Sequence, residues 1–302
     1  VPIDLIVIGL RWLQFAAAVL ALGLPLFQAF GLSEPGPQPT RRATIIAGLV
    51  LVVAALSGLL AQTAMMAGGW AAGLEPVALG YVVQSTSLGI AHLVRAGLAL
   101  VGVAALVMGR GRRLGEAVGI LALSGAVATF AWSGHGAASE GALGLWHLTA
   151  DIAHALAGCV WIGALAGFCL LLIRPSAPAA AATARSLARF ASIGTVAVAV
   201  LVITGLINAA FLIGAEGLGV APGSAWGSLL IAKLALFAVM VGLAAHNRFT
   251  LTPTLSRAVE AQADADPSVR RLRISIGLEL LAGFALLGLV AAMGVQMPPA
   301  SM

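Results

Sequence analysis

Charge is what this sequence has least of. Only 9% of its 302 residues are Asp, Glu, Lys or Arg, against about 25% in a soluble globular domain, which needs a solvated surface. The deficit excludes a soluble fold for most of the chain and leaves lipid as its solvent. Cysteine is scarce as well. Cys159 and Cys169 stand ten residues apart and no Cys-x-x-Cys occurs, which argues against a thiolate zinc or copper centre. Both read as small apolar packing residues. A Walker phosphate-binding motif is missing, which argues against ATP-driven pumping. No connection is long enough to fold alone: residues 250–273 and the Pro/Ala-rich stretch 175–184 both read as connectors.

What is present is apolar. Hydrophobic residues make up 61% of the chain, mean hydropathy is +1.06, and unbroken runs such as 43–66 recur. In a bilayer every backbone polar group must be satisfied internally, which leaves helices or closed barrels. Barrel strands alternate apolar and polar residues, and these runs do not. The sequence therefore predicts an all-α, polytopic membrane protein forming a single transmembrane domain. Eight spans are expected, at 5–30, 43–67, 85–108, 114–132, 146–173, 187–214, 227–249 and 274–296, each near the ~20 residues that cross hydrocarbon. The first is not a secretory signal: it lacks a basic leading region, contains Arg11 and is too long. The chain opens on Val1, and a few residues are expected ahead of it.

Thirteen of the sixteen Lys and Arg residues fall in alternate loops: Arg41 and Arg42; Arg110, Arg112 and Arg113; Arg174, Arg185 and Arg189; Arg248, Arg257, Arg270, Arg271 and Arg273. The positive-inside rule makes these loops cytoplasmic and puts both termini on the opposite side. The net charge of +5 thus reports topology. A nucleic-acid partner would need basic residues gathered on a folded surface, and none is expected.

The order of features suggests a parallel 4+4 internal repeat, with halves near 1–132 and 146–302. Gly89 and Arg95 in the third span match Gly227 and Lys233 in the seventh. Ser57-Gly58-Leu59 matches Thr204-Gly205-Leu206, Glu116 matches Glu279, and Trp12…Gly23 matches His154…Gly163 more loosely. An even number of helices per half places the repeat axis along the membrane normal.

Polar side chains inside a membrane are costly and mark function. The fifth span is richest. His147, Asp151 and His154 fall at i, i+4 and i+7, on one helical stripe. At 1.5 Å per residue His154 lies roughly 12 Å below Trp146. His135 precedes this span, His92 lies at similar depth in the third, and His246 stands alone at the other end. Imidazoles with a carboxylate are metal-site chemistry, which makes His154, His147, His135, His92 and Asp151 candidate ligands. The thioethers of Met65 and Met66, and of Met293 and Met297 as an i, i+4 pair, are weaker candidates suited to Cu⁺. Each group also has a plain reading: methionine fills gaps, and His154 with Asp151 could be an interhelical hydrogen-bonding pair.

The run Asp151-Ile-Ala-His154-Ala-Leu-Ala-Gly-Cys-Val160-Trp161-Ile162-Gly163-Ala-Leu165 resembles the core helix of the copper resistance protein D family. Arg189-Phe190, Thr204-Gly205-Leu206-Ile207-Asn208, Trp226-Gly227 with Lys233, Asn247-Arg248-Phe249 through Pro253, Glu279, and Ser133-Gly134-His135 extend the resemblance over 130–285, with a weaker echo before it. The resemblance implies a multi-pass protein of the bacterial inner membrane. It would bind copper and take it up or pass it across the membrane, with both termini periplasmic. A periplasmic copper-binding protein of the copper resistance protein C type would be its partner. His92 departs from the family, which more often has a bulky apolar residue there.

Arg11, Arg95 and Lys233 lie within predicted spans at about the depth of the histidines. Three cations oppose a Cu⁺ site and could instead hold an anion, such as haem propionates or a quinone headgroup. Histidines at matched depth on two helices can also ligate a b-type haem. A membrane haem or quinone redox protein is therefore a second reading, and an assembly factor without its own metal site a third.

Overall fold

The structure, a computed structural model, describes residues 2–32, 38–109, 111–133, 141–173, 177–214, 217 and 219–301. Among these, eight helices are long and apolar enough to cross a membrane: α1 (Ile3–Gly31), α2 (Thr40–Met66), α3 (Ser87–Met108), α4 (Arg113–Trp132), α5 (Leu143–Leu172), α6 (Ala180–Ile213), α7 (Ala225–Glu260) and α8 (Asp266–Met293). No described residue is in a strand. The chain is an all-α, polytopic membrane protein with the eight spans its hydropathy predicts. The ends carrying the arginine-rich loops form what we call the basic face.

Local chemistry sets the helix ends. Thr86 and Ser224 cap α3 and α7 identically, each hydroxyl oxygen accepting the N–H of Gly89 or Gly227 at 3.0 Å. Either glycine lies so close to the preceding turn that a Cβ would strike the backbone of Val82 or Ala221. The turn from α3 to α4 needs Gly111 at φ +74, where an L side chain is strained.

Three expectations are corrected. The stretch 175–184 is not a bare linker, because helix runs from Ala177 into α6; its alanines favour helix and Pro178 sits in the first turn, where a missing N–H costs nothing. The connector 250–273 is largely helical. A π-turn at Asn247–Leu251 leads into the helix Thr252–Glu260, with Pro253 again in its first turn, and α8 begins at Asp266. At its far end α8 stops at Met293, with Gly294 as cap. Met297 lies beyond the helix and exposed while Met293 is buried, so the two do not form an i, i+4 pair.

The core forms around α5, which packs on α1, α6 and α8. Where α1 crosses α5 the backbones touch: a Cβ on Gly23 would meet the Cys159 carbonyl and Gly163 Cα, and one on Gly163 would meet Gly23 Cα. Phe27 fills the space over Gly167 and meets Phe168 edge-on, with ring centroids 4.7 Å apart. Nearer the basic face, Glu279 of α8 ties three helices together. Its carboxylate accepts the Trp161 indole N–H and the Asn247 amide, both at 2.9 Å. The two halves differ in one respect. α2 and α3 pack along their lengths, whereas α6 and α7 meet only toward the basic face, where Arg248 donates to the Ala191 carbonyl and to Thr195. Away from it they make few contacts, and we call the region between them the wedge.

Two candidate sites on opposite halves

Each half holds a polar cluster toward the non-basic face. In the second half it lies in the wedge between α6 and α7. His154 donates its Nδ1–H to Thr204 Oγ1 at 2.9 Å, because the Thr204 hydroxyl proton is committed to the Val200 carbonyl at 2.6 Å. That bond fixes the tautomer and leaves Nε2 as an unprotonated acceptor, the arrangement in which a histidine ligates a metal. One turn away Asp151 Oδ1 accepts the Asn208 amide at 3.2 Å, and Asn208 Oδ1 is buried with no donor. The cluster thus holds three acceptors, His154 Nε2, the Asp151 carboxylate and Asn208 Oδ1. Lys233, half-buried on α7, is among the described residues the one cation whose charge acts on both Asp151 and His154.

His147 shares the stripe, and only 2% of its surface is exposed. Its ring stacks on Phe211 at 4.6 Å and 2°, close enough to Asp151 to feel its charge. His135 lies outside the described residues. Met65 and Met66 end α2, half-buried and exposed respectively, and Met293 ends α8. None of these methionines is on the helices that carry the His154 cluster. Among the described residues no three His, Cys, Asp or Glu side chains converge as a closed metal cage.

In the first half α3 packs on α2 and α4, while α5 packs on α1 and α6, so His92 and His154 occupy different clusters. Matched depth does not bring them together because they face different neighbours. His92 donates Nδ1–H to the Leu88 carbonyl at 2.9 Å, and its Nε2 lies beside Gly58 and the Gln14 amide. Arg95, 1% exposed, donates to Gln14 Oε1 at 2.6 Å, Thr129 Oγ1 at 3.0 Å, the Thr129 carbonyl at 3.1 Å and Ser133 Oγ, and it covers the Phe130 ring at 3.8 Å. Arg11 donates to the Ser133 carbonyl at 3.3 Å. The three membrane cations therefore divide, with Arg11 and Arg95 in one cluster and Lys233 in the other. The sequence order did not reveal this division. In the sequence Thr204 and Asn208 stand only as members of a motif, and their role depends on the face that α6 turns to α5.

The clusters occupy parallel places. Nine residues before the crossing glycine, α1 carries Gln14 and α5 carries His154. Gln14 lies against Gly58 of α2, and His154 lies against Gly205 of α6.

Comparison with known proteins places both halves in one family. Residues 2–145 match the copper resistance protein D-like N-terminal domain, and residues 184–293 match copper resistance protein D. The chain is 35% identical to copper resistance protein D of Pseudomonas syringae pv. tomato, across 98% of this chain and 97% of that one. It is 27% identical to inner membrane protein YebZ of Escherichia coli strain K12, across 93% and 96%. No solved structure matches it. The matches cover the first half as well as the second, so the relation extends beyond residues 130–285, and this chain belongs to the copper resistance protein D family.

Proposed function

We propose that this protein handles copper at the bacterial inner membrane, accepting the ion from the periplasmic side into the wedge between α6 and α7. The observation that carries the reading is His154. Its Nδ1–H is committed to Thr204, which leaves the Nε2 lone pair as an acceptor on the stripe that carries Asp151 one turn away, and Asp151 in turn holds Asn208, whose oxygen has no donor. Copper is cargo here, and an open, incompletely caged set of ligands suits an ion that must leave again, since conduction needs binding weak enough for release. Asp151 opposes the Lys233 charge, and the two arginines belong to the other half, which removes most of the repulsion that three clustered cations would bring. The family relation to proteins named for copper resistance supports the same reading, and a periplasmic copper-binding protein would be the donor or acceptor at the wedge mouth. We also infer that the two halves are related by rotation about the membrane normal, from the matching caps, the Gly23–Gly163 crossing and the Gln14/His154 placement.

Purified, washed protein exposed to Cu⁺ should retain stoichiometric copper by elemental analysis and show no Soret band. A Soret band without copper would replace this reading with a haem protein, and neither signal would leave an assembly factor. Orientation is testable separately. Reporters fused at Gly111 and Ala138 should report cytoplasm and periplasm respectively, and the same side for both would overturn the proposed topology.

A further inference from the structure

The first-half cluster surrounds a small, partly open cavity of about 20 Å³, lined by Arg11, Gln14, Phe15, His92, Arg95, Phe130 and Ser133. Its electrostatics are one-sided. Among the described residues no carboxylate acts on either guanidinium, and the charge that Arg95 feels is the like charge of Arg11. Every hydrogen-bond partner of the two is neutral. Buried charges are ordinarily paired or coordinated. Arg11 also keeps one donor in reserve: its Nε is buried without an acceptor. Gln14 spends its oxygen on Arg95, which leaves its amide N–H group turned to the space beside Gly58 and His92. Two like charges and a free amide thus surround one small space, with no acid among the described residues that line it.

We propose that this cavity is a binding site for a small monovalent anion of halide size, chloride being the abundant one at the outer face. A cation is excluded by the two guanidiniums. A haem or quinone is too large, because a space of about 20 Å³ has room for little more than one water-sized body and lies far below the roughly 300 Å³ at which organic-ligand pockets begin. A halide between Arg11 and Arg95 replaces repulsion with charge-assisted hydrogen bonds from the two guanidiniums. The site fastens α1, α3 and the end of α4 together in the half where α2 and α3 are closely packed. It does not depend on copper at His154, and each reading can fail alone.

The test is equilibrium binding of radiolabelled chloride to the full-length protein in detergent, with sodium gluconate holding ionic strength constant. Wild type should bind chloride saturably at one site per chain, and bromide should compete. Arg11→Gln, which gives up a single protein hydrogen bond, should weaken binding about tenfold or more, as expected for loss of a charged donor. Lys233→Gln, in the other cluster, should leave it unchanged. Arg95→Gln should abolish binding. Should that variant fail to fold, Arg11→Gln decides alone. No saturable chloride binding in wild type, or binding unaffected in Arg11→Gln, overturns the proposal.

Discussion

Replacing His154 with Ala should abolish stoichiometric copper binding while the protein still inserts and stays monodisperse. The side chain is half-buried at the wedge, and its bonds cross to Thr204 and the Leu201 backbone of α6, so truncation removes a ligand without emptying the core. A graded companion result is expected from Thr204→Val. Valine keeps the shape but cannot accept the Nδ1–H, so the imidazole loses the bond that fixes its tautomer and orientation. Loss of such a supporting bond typically weakens metal affinity about 10–100-fold. Asp151→Asn keeps a possible bond to Asn208 but removes the charge that opposes Lys233, and it should weaken copper without abolishing it. His246→Ala, exposed at the basic end of α7, should change nothing. Equilibrium binding with elemental analysis reads all four. Full occupancy in His154→Ala would move the site elsewhere, and loss of a haem from that variant would favour the redox reading.

The eight spans were legible because bilayer thickness imposes a length and a composition that no packing detail can override. The His147–Asp151–His154 stripe was equally legible, since helical period alone puts three residues on one face. What faces that stripe was not. Thr204 and Asn208 become partners only when α6 turns that edge to α5, and a run of apolar residues does not encode helix rotation about its own axis. His92 shows the same limit from the other side. Its span position predicts a depth like that of His154, but depth is one coordinate of three, and α3 carries it into a different cluster. The three cations were grouped by depth in the same way and divide by helix contact. Proline misled at the connectors: it reads as a breaker, yet Pro178 and Pro253 each sit in a first helical turn, where proline is favoured.

The crossing of α1 and α5 carries the largest expected effect on folding. Lipid offers no hydrophobic reward for bringing two apolar helices together, so close backbone approach through small residues must supply the packing. Cys159, Gly163 and Gly167 repeat every four residues along one edge of α5, and Gly23 meets the first two directly. A methyl group on Gly163 would point at Gly23 Cα and the Val19 carbonyl, which are backbone atoms with no rotamer to yield. The helices would have to part, at roughly 1–3 kcal/mol or more for overpacking, a sum only partly offset by the better helix propensity of alanine. Gly163→Ala should therefore lower the thermal unfolding midpoint and shift the protein toward aggregates on size exclusion, and Gly23→Ala should do the same. Once one methyl has separated the helices the second meets less resistance, so the double variant should lose less than the sum of the two. Gly158→Ala supplies the opposite sign from the same helix. Nothing lies within 4 Å of its added carbon, so it should be neutral or raise the midpoint by the ~0.5–1 kcal/mol that glycine costs in a helix interior. The fraction of Gly163→Ala that remains folded should still bind copper, because the His154–Thr204 bond joins α5 to α6 and not to α1. If Gly163→Ala and Gly158→Ala melt together, the α1–α5 contact is not what holds the two halves.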